Sequence, residues 1–248
     1  MWSEAARQRS LHGGVLQRGM LGGGGKRAGG TQSCSTKPEG VGGWGSESWW
    51  QEHAIHVIIG ANIGVFVMWQ SLKLRRFMAK NFALSTTGVL VDWKFHTVLT
   101  SVFSHYDWVH LGTNIVTLLL FGTETLAVLG ARRFVALYMV GGLFSSCCQV
   151  AWPIISGSAR YSPNQLGLGA SGAINAVVAF SVLTFPGRML LFYWVLPVSA
   201  AGLGVLFLGK DIAGLMLGDP SLGNPAHVGG ALFGGALWMR WGRPRPFI

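Results

Sequence analysis

The sequence predicts an all-α polytopic membrane protein, a bundle of six transmembrane helices, on three observations. Half of the residues are hydrophobic and only 11% are charged, against about 25% charged in soluble chains. Six apolar runs approach the ~20 residues that a spanning helix needs. The polar residues inside those runs gather at the starts of alternate runs, where a chain passing back and forth would bring them to one face. The 248 residues suit one compact helical domain over 51–242, behind a leader over 1–50 and before a short basic tail over 243–248.

The leader is rich in Gly, Ser and Gln and has no membrane-length apolar run. From Met1 to Pro38 its cations are Arg7, Arg9, Arg18, Lys26, Arg27 and Lys37, and its single acid is Glu4. An acid-poor, Arg- and Ser-containing leader predicts an organelle transit peptide rather than a secretory signal. A glycine-rich disordered tail is the alternative reading.

The first span is predicted at about Ala54 to Trp69, preceded by Trp49 and Trp50, which suit an interfacial belt. The second runs from about Trp108 to Leu129 and the third from about Phe134 to Ile155. The fourth covers about Leu166 to Phe185, closed by Pro186-Gly187. Pro197 would break a helix through the next apolar run. That run therefore reads as a short apolar connection up to Leu196 and a fifth helix from about Val198 to Leu217, with Lys210 and Asp211 near its end to snorkel or pair. The sixth covers about Pro225 to Trp241. Between the first two spans, Leu72 to His105 mixes basic residues with Phe77, Phe82, Trp93 and Phe95, as an amphipathic element at the interface would.

The net charge is +10. Its cations cluster in short loops, as Lys73, Arg75, Arg76 and Lys80, or Arg132 and Arg133, which fits lipid headgroups and topology control. No basic stripe interleaves with aromatics, so nucleic-acid binding is excluded. Cys34, Cys147 and Cys148 show neither metal-ligand spacing nor a disulfide framework; Cys147 and Cys148 read as packing residues. No metal or cofactor is implied. A transporter would carry charge along a path through the bilayer or paired interrupted helices, and here the polar groups collect at one face.

The second, fourth and sixth spans run in the same direction. His110 and Asn114 open the second, Ser171 opens the fourth and His227 opens the sixth. At about 1.5 Å per residue each sits one or two turns below the same face. Gly169, Ala170, Gly172 and Ala173 flank Ser171, and Gly230 and Gly234 follow His227 at GxxxG spacing, which lets helix backbones approach closely. Singly, each residue has an ordinary reading: a packing serine, an interfacial histidine, an asparagine joining two helices. Their shared order and depth favour one site with a nucleophile, Ser171, and a base, His227.

With these motifs the chain resembles the rhomboid family of intramembrane serine proteases. GASG around Ser171 is similar to the family's GxSG, NPAHVGG around His227 to its last-helix histidine motif, and FSHYDWVHLGTN to its second-helix motif. The wording of RYSPNQLGLGASGAI, DIAGLMLG and AHVGGALFG is closest to the mitochondrial, presenilin-associated-like branch. That branch often has an extra helix before the six-helix core, for which no apolar segment appears before Ala54. The resemblance implies an endopeptidase that cleaves transmembrane helices of single-pass proteins within the lipid bilayer, in the mitochondrial inner membrane or another organelle membrane. The runner-up is a catalytically silent relative that binds transmembrane helices as a chaperone or adaptor; loss of the serine or histidine would mark it, and both are present.

The implied mechanism is a Ser171–His227 dyad. Asn114, His110 and Gly169 form the oxyanion-stabilising group, joined by the backbone N–H of Ser171 at its helix N-terminus. His105 either organises the entrance or merely ends a loop. No acid is evident as a third member, since Glu124 and Asp219 fall far from the site. Where many relatives carry a tyrosine against the histidine, this chain has Asn175, so the expected tyrosine contact has no counterpart.

Overall fold

A computed structural model describes residues 46–105, 107–192, 196–220 and 224–241. The leader through residue 45 and the basic tail lie outside the described residues, and with them the transit-peptide reading. The described chain is mostly helical: α1 (Glu47–Gln70), short α2 (Arg75–Phe82), α3 (Thr86–Leu90) and α4 (Thr97–Thr100), long α5 (Trp108–Ser156), α6 (Ser171–Thr184), α7 (Ala200–Met216) and α8 (Pro225–Trp241). Strands β1 (Met189–Phe192) and β2 (Leu196–Ser199) precede α7.

Helix α1 starts where the Ser46 hydroxyl accepts the Trp49 N–H at 3.1 Å, satisfying one of the free amides of a helix start. Its inner face is Ala54, Ile55, Ile58, Asn62 and Phe66, a spacing of one, three and four residues that lines one side of a helix. Its outer face leaves Val57, Ile63 and Val67 exposed.

The connection from α1 to α5 is built as expected from short amphipathic pieces. Phe77, Leu90, Val91, Trp93 and Phe95 are exposed. The piece is tied down by polar side chains: Trp69 Nε1 donates to Ser104 Oγ at 3.2 Å, and Ser104 Oγ donates to the Phe82 carbonyl at 2.8 Å. Thr86 Oγ1 donates to the Val150 carbonyl on α5 at 2.9 Å.

The second and third predicted spans are the two halves of α5, which breaks at Gly130, with φ 73° and ψ 161°. That backbone conformation suits glycine. Gln51 of α1 bridges the break: its Nε2 donates to the Leu126 carbonyl at 3.1 Å, and its Oε1 accepts the Ala131 N–H at 2.9 Å. A carbonyl and an amide that the break releases are thereby satisfied inside the protein.

Two sequence expectations shift. The fourth helix begins at Ser171, not at Leu166. Residues 166–169 stay out of the helix because Gly167 pairs with Leu84 in an isolated antiparallel bridge and Gly169 has φ 138°, which no helix accommodates, and Ala170 is the N-cap. The apolar connection before the fifth helix is a hairpin, in which Leu191 pairs with Pro197 and Met189 with Ser199. Pro197 thus sits in one strand of a two-stranded ribbon, where its missing N–H is tolerated. Helix α7 then starts at Ala200, with the Ser199 hydroxyl accepting the Gly202 N–H at 3.1 Å.

Helices α5, α6 and α8 form the centre, around fully buried Leu118, Phe134, Leu137, Tyr138, Ala176, Val177 and Phe180. Small residues set the closest contact. A Cβ added at Gly230 would strike the Gly172 carbonyl, and one at Gly234 the Ala176 carbonyl. Apolar side chains face outward from α1, α5, α7 and α8, among them Val67, Val116, Val205, Met216 and Leu232. Small residues at the closest helix contacts and apolar side chains on the outer faces is the arrangement of helices that pack in lipid. By length and composition α1 and α5 are long and apolar enough to cross a membrane, while α6 has 14 residues and α7 and α8 have 17 each.

Candidate active site

Ser171 is the first residue of α6. The loop that delivers it is pinned on both sides: Gly167 exchanges hydrogen bonds with Leu84 at 2.7 and 2.9 Å, and the Gly169 N–H donates to the Ser101 carbonyl at 3.1 Å. Starting the helix at Ser171 leaves the first amides of α6 without intrahelical acceptors and points the positive end of the helix dipole at the serine.

His227 stands in the first turn of α8. Asn224 caps that helix, its Oδ1 accepting the Ala226 N–H at 2.9 Å. Pro225 follows as the first helical residue, where a missing N–H has no consequence. Through the glycine contacts with α6, His227 Nε2 comes within 2.9 Å of Ser171 Oγ, and the expected nucleophile and base are hydrogen-bonded.

The orienting group is an acid that sequence reasoning assigned to snorkelling or pairing. His227 Nδ1 lies 2.9 Å from Asp211 Oδ2. Asp211 is buried on α7, and Lys210 Nζ approaches its other oxygen, Oδ1, at 3.3 Å. An ionised carboxylate only accepts hydrogen bonds, so Nδ1 carries the proton and Nε2 is left as the acceptor for the serine hydroxyl. The expectation of a site without an acid is therefore corrected. Glu124 is elsewhere, its Oε2 paired with Arg188 at 2.7 Å beside the hairpin. Asn175 Nδ2 donates to the Ser171 carbonyl at 2.8 Å and braces the first turn of α6.

His110 and Asn114 lie one turn apart on α5. Asp107 caps that helix by accepting the His110 N–H at 2.8 Å. The His110 ring fills the space that a side chain on Gly169 would need: a Cβ there would lie 2.9 Å from His110 Nε2 and 3.5 Å from Ser171 Oγ. Gly169 thus serves by its positive φ and missing side chain, while its N–H is committed to Ser101. Asn114 is buried, and its Nδ2 has no hydrogen-bond partner among the described residues. A buried amide donor left open is what a developing negative charge could use.

His105 is buried and packs edge-on to His110, with ring centroids 5.1 Å apart. It precedes α5, outside the long helices. Burial first, and the neighbouring His110 second, pushes it down to about 4, so the ring is neutral at physiological pH. The Phe103 carbonyl opposes that shift without reaching hydrogen-bond geometry.

Among the described residues no group of histidine, cysteine and carboxylate side chains could hold a metal ion. The arrangement is a hydroxyl, an imidazole and a carboxylate in line beside open donors, which is the equipment of acyl transfer.

The Rhomboid domain family profile matches residues 92–243. Over 196 residues the chain is 34% identical to RHOMBOID-like protein 12, mitochondrial, of Arabidopsis thaliana, covering 74% of this chain and 58% of that protein. It is 31% identical over 213 residues to the Presenilin-associated rhomboid-like protein, mitochondrial, of Homo sapiens, covering 82% and 54%. Against Rhomboid protein 1, mitochondrial, of Saccharomyces cerevisiae, identity is 33% over 187 residues, covering 74% and 51%. The chain spans about half the length of the curated relatives it matches.

Proposed function

Because this chain belongs to the rhomboid family, we propose that it is an intramembrane serine endopeptidase whose nucleophile is Ser171, whose base is His227 and whose orienting acid is Asp211. The observation that carries the reading is the continuous hydrogen-bonded line Ser171 Oγ, His227 Nε2, His227 Nδ1, Asp211 Oδ2, with both contacts at 2.9 Å.

Ser171 Oγ attacks a peptide carbonyl while His227 Nε2 takes its proton. Asp211 holds the imidazole in the tautomer that accepts and stabilises the imidazolium that follows. The tetrahedral oxyanion is met by Asn114 Nδ2, the His110 ring and the backbone N–H of Ser171 at the α6 terminus. His227 then returns the proton to the leaving amine. Water resolves the acyl-enzyme with the same residues in reversed roles.

In this reading the bundle crosses the membrane six times, through α1, the two halves of α5, and α6, α7 and α8. The site lies near one face, at the starts of α5, α6 and α8. The substrate is the transmembrane helix of a single-pass protein, unwound locally so that its carbonyls are free of helical hydrogen bonds. The mitochondrial relatives and the acid-poor leader together support the mitochondrial inner membrane as its location. A silent helix-binding relative would have no use for a complete Ser–His–Asp line.

A fluorophosphonate tests the assignment. Intact-mass analysis of reconstituted protein should show one adduct, on Ser171, that disappears in His227→Ala. An unlabelled wild type, or equal labelling of Ser171→Ala, contradicts it.

A further inference from the structure

Helix α2 and the turn that leads into it carry Lys73, Arg75, Arg76 and Lys80, and all four are exposed. None of them forms a salt bridge among the described residues. No acid relieves them along the chain: the nearest are Glu52 and Asp92, and Asp92 is paired with Lys94 at 2.6 Å. Apolar side chains are interleaved with the cations. Leu72 is 80% and Phe77 50% exposed, whereas Met78 is fully buried and holds the inner side of α2.

Unpaired cations mixed with exposed apolar side chains on a short helix suit a bilayer interface, where phosphates meet the cations and acyl chains take the apolar groups. An acidic peptide or a free phosphate would match the cations and leave Leu72 and Phe77 in water. Net charge selects among lipids, since a zwitterionic headgroup brings none to the four cations.

The same segment holds the loop before Ser171. Two residues past α2, Leu84 exchanges hydrogen bonds with Gly167 at 2.7 and 2.9 Å. The Asn81 carbonyl accepts from Thr100 Oγ1 and the Phe82 carbonyl from Ser104 Oγ. These bonds tie the end of α2 to the turn whose Ser101 carbonyl accepts the Gly169 N–H at 3.1 Å. A displacement of α2 therefore reaches the Ser171 loop at two points, Gly167 and Gly169. Resting on the protease reading above, we propose that α2 is a binding site for anionic phospholipid headgroups, and that its occupation sets the Ser171 loop. Proteolysis then depends on the headgroup charge of the surrounding bilayer.

The test reconstitutes the full chain in vesicles of phosphatidylcholine alone or in an equal mixture with phosphatidylglycerol. The motionally restricted fraction of spin-labelled phosphatidylglycerol reads lipid binding. The rate of fluorophosphonate labelling at Ser171 reads the loop without a protein substrate. Wild type should select phosphatidylglycerol over phosphatidylcholine, and its labelling should be about fivefold or more faster in the mixture, the low end of coupling between two sites. Joint substitution Lys73→Gln, Arg75→Gln, Arg76→Gln and Lys80→Gln should remove most of the selectivity and bring the two labelling rates within about twofold of each other. Arg132→Gln with Arg240→Gln, which removes two exposed cations outside α2, should leave both readings as in wild type.

Equal labelling of wild type in the two lipids overturns the proposal, as does a fourfold variant that keeps the lipid dependence. The same acceleration by inorganic phosphate added to phosphatidylcholine vesicles also overturns it, because the anion would then come from solution. A variant that changes only the KM of a substrate with an acidic flank would mark a peptide surface and overturn it too. Should the fourfold variant fail to insert, Arg75→Gln with Arg76→Gln should lose part of both readings, and no loss overturns the site. Failure of the protease reading is distinguishable: Ser171 then goes unlabelled in both lipids, while the spin label still reports the selectivity of α2.

Discussion

Two helices meet His227, and they are held in opposite ways. Helix α8 lies so close to α6 that Gly230 and Gly234 touch the carbonyls of Gly172 and Ala176. Helix α7 buries only Ala200, Leu203, Asp211 and Gly214 and leaves Val205, Leu206, Phe207, Ile212 and Met216 exposed. Ser171 and His227, the proposed nucleophile and base, are thus fixed by backbone-to-backbone packing. The acid arrives on a peripheral helix, through one buried side chain. Positioning of the Ser–His pair is a property of the core, and orientation of the imidazole is a property of the rim.

The largest effect, taken over stability and rate together, should come from loosening the core contact. Gly230→Ala drives a methyl into the Gly172 carbonyl, and overpacking of this kind costs roughly 1–3 kcal/mol. A shift of about 1 Å between the reacting groups costs about a hundredfold in rate, so Gly230→Ala should lower both melting temperature and peptide-bond cleavage sharply. Two controls sharpen the contrast. At Gly235 a Cβ would meet only Leu183 Cδ1 at 3.7 Å, and at Gly209 on α7 it would meet nothing within 4 Å. Gly235→Ala and Gly209→Ala should keep full activity, with thermal stability equal or raised, since alanine is favoured over glycine by up to about 1 kcal/mol inside a helix.

Next in size is the rim. Asp211→Asn keeps the shape of the side chain while allowing an amide to donate to Nδ1, which favours the tautomer that cannot accept the serine proton. A fall in kcat of about 10²–10⁴ is expected, with the melting temperature nearly unchanged. A loss of fold equal to that of Gly230→Ala would erase the distinction between the two helices. Lys210→Met should have the mildest effect on activity. Its ammonium is half-exposed and 3.3 Å from Asp211 Oδ1, and pairs of that kind contribute about 1 kcal/mol or less, so a change in kcat of a few fold is expected.

A pH measurement bears on the loop that packs over the core. His105 is held neutral, at about 4 against an ordinary 6.5. Above pH 6.5 both folded and unfolded forms are neutral and the stability is fully present. As pH falls from 6.5 toward 4 the unfolded chain binds the proton more readily, and stability declines. Wild type should therefore lose thermal stability across that window, and His105→Gln should show a shallower decline in differential scanning calorimetry.

Much of the candidate site was legible in the sequence because its residues sit in short motifs at helix starts. Ser171, His227, His110 and Asn114 were found from spacing and from the alternation of apolar runs, and the Ser171–His227 bond follows from the glycines beside them. Asp211 was missed for a physical reason. It lies 16 residues before His227, and Pro197 blurred the start of its helix, so it read as a charge near the end of a span. The available signal was the acid itself, since a carboxylate in an apolar helix is costly and marks function by default. The end of α7 and the start of α8 share one face, which brings Asp211 level with His227. Residues 166–170 were absorbed into a helix because their apolar character is continuous. Only the positive φ of Gly169 and the Gly167–Leu84 bridge, both products of tertiary contact, end the helix at Ser171. The hairpin before α7 was hidden in the same way by a uniformly apolar run.

The most direct measurement is cleavage of a single-pass transmembrane substrate in proteoliposomes that contain only this protein and that substrate. Wild type should release two fragments cut within or beside the transmembrane segment, and Ser171→Ala and His227→Ala should release none. Cleavage by Ser171→Ala at the wild-type rate would contradict the account.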